Sequence, residues 1–125
     1  MQILLAVGFG GALGAVSRYW LAGMLNSKAD KLPLGTLSCN VIGSLVMGIL
    51  FVLIMEKAKL SPELRPMLMV GFLGAFTTFS TFSLDTLLLM QQGELFKAMI
   101  NVLLNVSLCI FAAGVGIYLV TFFNK

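Results

Sequence analysis

The chain has no histidine, and its two cysteines, Cys39 and Cys109, lie 70 positions apart. Without His or a cluster of carboxylates, metal-assisted hydrolysis and His-based acid–base or nucleophilic catalysis have no residues to use. Neither cysteine has a neighbour at metal or redox spacing, so both read as small buried side chains. Charge is scarce as well. There are 8 Lys or Arg and 5 Asp or Glu among 125 residues, or 10%, where soluble domains carry roughly 25%. So few charges cannot cover a soluble surface, which excludes a conventional cytosolic enzyme and a disordered chain. The basic pI near 9.1 rests on a net charge of +3 and is no sign of nucleic-acid binding.

In place of charge there is apolar length. Apolar residues make up 59% of the chain, and the mean hydropathy is +1.03. Residues 1–17 carry no charge, 32–55 form a run of 24 uncharged residues, 66–84 give 19 more, and 98–124 give 27. A membrane helix needs about 20 apolar residues. The spacing therefore predicts an all-α membrane protein with four transmembrane helices, at 3–25, 33–55, 64–90 and 96–123. Together they form a single four-helix domain over 1–125. The first segment lacks a basic leader and is too long for a signal-peptide core, so it is read as a helix that stays. Function is expected within the bilayer.

Four short-looped spans put both termini and the second loop on one side. Lys57, Lys59, Arg65 and Lys125 fall there, and Arg18, Lys28, Lys31 and Lys97 fall on the other. Orientation follows the Lys/Arg difference between sides, and here it is zero. Either the balance is chance or the chain inserts both ways, which would let two copies pair antiparallel.

The spans carry polar residues of several kinds. In the first, Gly10 and Gly14 form a close-packing pair, and Arg18 either snorkels or faces a water-filled vestibule. In the second, Thr36, Asn40, Gly43 and Met47 share a stripe, with Asn40 either bonding a neighbouring helix or lining a pathway. The third reads Gly71-Phe72-Leu73-Gly74-Ala75-Phe76-Thr77-Thr78-Phe79-Ser80-Thr81-Phe82-Ser83. Hydroxyl residues that compete for backbone hydrogen bonds, just after two glycines, fit either a helix broken in mid-membrane or core aromatics with hydroxyls bonded to the preceding turn. Phe79 and Phe82 would share a face after the break, offering ring edges of partial positive charge. In the fourth, Asn101, Asn105, Ala112 and Gly116 line one stripe, as a packing ladder or a polar track. Asp85 is expected near the membrane interface. A lining of neutral donors without carboxylate rings suits a small hydrated anion that must bind and then leave.

These motifs resemble the Fluc family of microbial fluoride channels, also called CrcB. The resemblance covers nearly the whole chain. It rests on Gly10-Gly11-Ala12-Leu13-Gly14-Ala15 with Arg18-Tyr19, on Pro33-Leu34-Gly35-Thr36 with Asn40 and Gly43, and above all on the run from Gly71 to Ser83. It implies an antiparallel dual-topology homodimer in the bacterial cytoplasmic membrane, with two fluoride pores. It implies passive fluoride export, protecting cells whose acidic surroundings load them with hydrogen fluoride. By motif position, Asn40 matches the family's pore asparagine, and Phe79 and Phe82 match its pore phenylalanines. Ser80 and Thr81 would be hydroxyl donors beside the path, and Arg18 matches the first-helix arginine of the vestibule. Gly74 and Thr77 match residues whose backbone carbonyls hold a structural sodium ion at the dimer centre. The chain departs from the family in Ala75-Phe76, where Gly-Leu is frequent. Asn101 and Asn105 would be the fourth-helix members of the fluoride pathway, and there the chain departs again, since Tyr or Ser is frequent. Two rivals stand beside this reading. A proton-coupled small multidrug exporter needs a membrane carboxylate, for which Asp85 is poorly placed. An accessory membrane subunit would carry no flux.

Overall fold

The architecture was read from a computed structural model, which describes residues 1–26, 32–57 and 60–125. Lys28, Lys31 and Lys59 of the charge tally lie outside the described residues. Every regular element among the described residues is a helix, and there are no strands among them. Helix α1 covers Gln2–Leu25, and α2 covers Leu34–Lys57. The third segment begins with a short α3 (Leu64–Pro66), widens into a π-helical stretch (Met67–Leu73) and narrows again into α4 (Gly74–Phe76). After two extended residues it resumes as α5 (Phe79–Gln91), and α6 covers Leu95–Phe123. Four helical segments are long and apolar enough to cross a membrane: Gln2–Leu25, Leu34–Met55, Leu64–Gln91 and Leu95–Phe123. The shortest has 22 residues, about 33 Å at 1.5 Å per residue, against a hydrocarbon core of about 30 Å.

The outside is more apolar than the inside. Leu4, Val16, Phe96, Ile110 and Phe111 are each more than 65% exposed. Thr36, Asn40, Asn101 and Asn105 are buried. A water-soluble fold reverses this arrangement; a fold solvated by lipid needs it, because polar groups must find partners within the protein. Among the described residues, every buried side-chain nitrogen or oxygen has one.

Close packing rests on glycine. Helix α1 lies along the first half of the third segment, and α2 lies along α6. A β-carbon at Gly14 would collide with the carbonyl of Phe72, and one at Gly10 with that of Met67. From the other side, Gly71 lies against the Val7 carbonyl. Gly48 and Gly116 play the same part between α2 and α6, facing the backbone at Ala113 and Leu45 respectively. With lipid outside, no hydrophobic force drives these helices together, so close van der Waals approach must.

The helix ends are tied as well. The Asn26 side chain accepts from the Gly35 N–H at 2.7 Å, joining the end of α1 to the start of α2. Between α5 and α6 the chain reverses at Gly93, whose φ of 75° is the left-handed region. There Gly93 N–H bonds Met90 O and Glu94 N–H bonds Leu89 O, which caps α5.

This packing gives a direct test. Gly14→Val should lower the unfolding free energy in detergent by about 1–3 kcal/mol, since the added atoms meet backbone rather than a movable side chain. Gly23 has open space where its β-carbon would be, so Gly23→Ala should leave stability equal or slightly raised. Denaturant titration monitored by helicity measures both.

Candidate functional site

The most distinctive local structure lies where α4 stops. Thr77 (φ −85°, ψ 154°) and Thr78 (φ −150°, ψ 120°) are extended. A helix that stops leaves its last carbonyls and its successor's first N–H groups without helical partners. Here side chains take over. The Thr78 hydroxyl caps α5 by accepting from Thr81 N–H at 3.1 Å. It also donates to Thr81 Oγ1 at 3.1 Å, and Ser80 Oγ lies 3.3 Å away. The Thr77 hydroxyl bonds back to Leu73 O at 2.9 Å.

Asn40, on α2, pairs with Thr78 along both edges of its backbone. Its Oδ1 accepts from Thr78 N–H at 2.8 Å, and its Nδ2 donates to Thr78 O at 3.1 Å. One side-chain amide thus replaces the strand partner that two extended residues lack. Gly43, one turn along α2, clears the space into which the Thr77 methyl group fits.

On the other side, Arg18 Nε donates to Ala75 O at 2.9 Å, so α1 also grips the end of α4. The Cys39 thiol points at the Arg18 carbonyl, 4.0 Å away.

Two carbonyls are released by these exchanges. The helical donor for Gly74 O would be Thr78 N–H, which goes to Asn40. The donor for Thr77 O would be Thr81 N–H, which goes to the Thr78 hydroxyl. Gly74 itself is exposed.

Beside the interruption lies an open groove of about 450 Å³ between α2, α5 and α6. Asn40, Ser44, Thr77, Thr78, Phe79, Phe82 and Asn105 contribute to its walls, with Met47, Cys109 and Ile110 completing the apolar part. Phe79 and Phe82 meet edge to face, with ring centres 5.4 Å apart at 61°. Phe82 is buried, whereas Phe79 is 78% exposed. Ser80 is exposed and Thr81 half-buried. Asn105 reaches the groove, and Asn101 sits behind it, 2% exposed.

Asp85 stands apart. It accepts from the Thr36 hydroxyl at 2.9 Å and borders a separate cavity of about 260 Å³ with Pro33, Leu88 and Gln92. Among the described residues its partner is the Thr36 hydroxyl rather than a cation. Sequence reasoning marked Thr36 and Asp85 but not their contact, and it missed Thr78 and Thr86 as network members. The signal for Thr78 was present, since a hydroxyl residue just before a resumed apolar helix is a capping pattern. No cluster of three or more His, Cys, Asp or Glu side chains occurs among the described residues.

The groove is thus bordered by amides, hydroxyls and phenylalanine rings, at the start of α5, whose first N–H groups point back toward the interruption, as Thr81 N–H does. Helix starts attract anions.

Comparison with known proteins places the chain in a family. Residues 5–117 match the family described as CrcB-like protein, Camphor Resistance (CrcB). A protein of Shewanella denitrificans named fluoride-specific ion channel FluC is 54% identical over 121 residues, covering 96% of this chain and 97% of its own length. A protein of the same name from Hahella chejuensis is 50% identical over 117 residues, covering 93% and 92%. One from Shewanella sp. (strain ANA-3) is 49% identical over 121 residues, covering 96% and 97%. With the family model spanning most of its length and such relatives matched end to end, the chain belongs to the CrcB family.

Proposed function

We propose that the chain is a fluoride-selective ion channel, letting fluoride leave the cell passively and so relieving its toxicity. The observation that carries this reading is the groove beside the Thr77–Thr78 interruption, lined by neutral polar side chains and two phenylalanines in a chain whose relatives are named for fluoride conduction. It is a transport protein, not an enzyme.

Fluoride is small and strongly hydrated. A conductor must replace its water with donors, yet hold it weakly enough to let it go. A fixed cation in the narrow part would bind it too long. The groove avoids that problem: among the described residues, its walls carry no Lys or Arg. The start of α5 offers partial positive charge from the helix dipole. Ser80 and Thr81 add hydroxyls there, and Phe82 and Phe79, which line the groove, would offer the ion their ring edges. Asn40 borders the same path and keeps α5 starting where it does. Arg18 is half-buried and would draw anions toward the entrance.

The reading extends to assembly. Two chains would pair antiparallel in the bacterial inner membrane, each dimer carrying two pores. The even Lys/Arg division supports insertion in both orientations. The interruption would then lie near mid-membrane, where irregular backbone is tolerated only against protein or a cavity. A structural sodium ion fits at that point. Gly74 O and Thr77 O, whose helical donors have gone elsewhere, would hold it, with the same pair from the second chain. Hard cations take such oxygen ligands, and the ion's chemistry would be that of a cross-link between copies. Ala75 and Phe76 do not disturb this fit, since the oxygens are backbone.

Three outcomes follow. Liposomes loaded with potassium fluoride and made potassium-permeable should empty within seconds to minutes when they hold the protein. Chloride-loaded vesicles should retain their contents. Fluoride held back by verified protein-containing vesicles would sink the reading. Phe82→Ile should slow efflux by about tenfold or more while the dimer persists, because an aliphatic side chain lacks the ring's positive edge; cross-linking and an ion-selective electrode read the two quantities. Exchanging sodium for a bulky organic cation during purification should weaken dimerisation, as seen in the monomer fraction on dilution, and returned sodium should restore it.

A further inference from the structure

Behind the groove, a file of hydrogen bonds joins three helices. Thr78 N–H donates to Asn40 Oδ1 at 2.8 Å, and Asn40 Nδ2 donates to Asn105 Oδ1 at 3.0 Å. Asn105 Nδ2 donates to Asn101 Oδ1 at 3.1 Å and to Asn101 O at 3.0 Å. Asn101 Nδ2 donates to Thr86 Oγ1 at 2.9 Å, and the Thr86 hydroxyl donates to Phe82 O at 2.8 Å. The file begins and ends on one helix, at the cap and the first turn of α5.

Its direction is set by the backbone. An N–H only donates and a carbonyl only accepts, whereas an amide side chain does both, one at each atom. Thr78 N–H therefore requires the Asn40 oxygen, and Thr78 O requires its nitrogen. The remaining Asn40 hydrogen must find an acceptor, which fixes Asn105. The Asn101 carbonyl requires the Asn105 nitrogen, in agreement. Asn101 must then accept from Asn105 and donate to Thr86. The only proton of the Thr86 hydroxyl goes to Phe82 O. Every orientation is single-valued, with no donor facing a donor.

Asn101 and Thr86 do not border the polar groove. Thr86 instead borders an apolar groove between α5 and α6 with Met90, Ala98 and Val102. We propose that Asn101 and Thr86 are positioning residues, which act through Asn105 to lock the Asn40 amide in the orientation that clamps Thr78 and so fixes the start of α5. The proposal rests on the fluoride-channel reading for its effect on transport, and on the hydrogen-bond file alone for its effect on Thr78.

The test uses the full chain in lipid nanodiscs and in liposomes. Thr86→Val is nearly isosteric and removes only the hydroxyl, whereas Thr86→Ser keeps it. Thr86→Val should speed hydrogen exchange of the Thr78 amide by about fivefold or more and slow fluoride efflux by a similar factor, the scale of one lost buried hydrogen bond. Thr86→Ser should restore both to near wild type. Asn101→Leu should show the larger form of the same two changes. If it does not fold, the Thr86 pair decides alone. Unchanged Thr78 exchange in Thr86→Val would overturn the proposal, whatever happens to efflux. Faster exchange with wild-type efflux would also overturn it, since transport would not depend on the clamp. Exchange needs no fluoride, so a wild-type protein that fails to conduct would sink the channel reading and leave the Thr78 result standing.

Discussion

Two extended residues inside a membrane-length helix create an obligation. Thr77 and Thr78 remove backbone groups from helical pairing, and lipid supplies no replacements. The Asn40 amide meets that obligation at Thr78 on both sides of the peptide backbone. Much else in the fold serves this one pairing. Gly43 admits Thr77, Arg18 grips Ala75 from α1, and Asn105 and Asn101 hold Asn40 from α6. What would be a defect elsewhere becomes the place where a helix starts facing a groove, with ring edges and hydroxyls beside it.

The glycines perform complementary work. Gly10, Gly14 and Gly71 bring α1 against the segment leading into the interruption, and Gly48 and Gly116 bring α2 against α6. The interruption is thus held between two closely packed pairs. Flexible packing there would let the clamp open, and backbone-to-backbone contact prevents that. Polar residues concentrate between these pairs, and apolar ones face outward.

Much of this was legible in the sequence. Uncharged runs marked the four long helices, because 20 or so apolar residues have few other uses. The hydroxyl-rich stretch after Gly71 and Gly74 drew attention for its poor helix propensity. Asn40 stood out because a lone amide in lipid must bond to something. What it bonds was not legible. Sequence spacing places residues on one helix face but does not say which neighbouring helix lies opposite, so the Thr36–Asp85 contact was missed. Asn101 and Asn105 were visible as a pair four apart, fitting a ladder or a track equally well. Thr86 carried no signal, since a single threonine on an apolar helix usually bonds its own preceding turn, as this one also does. The wide π-helical turn at Met67–Leu73 also has no sequence signature beyond Pro66 and Gly71.

The single-valued direction of the Asn40–Asn105–Asn101–Thr86 file has a consequence for regulation. A switch needs an element with two arrangements of similar free energy, so that a ligand or a voltage can favour one of them. Rings of amides or waters often have two such states, related by reversing every bond at once. This file is anchored at one end by a group that only donates and at the other by one that only accepts, so its reversal is forbidden. The file is therefore monostable, so a switch at this place would have to break its bonds rather than reverse them.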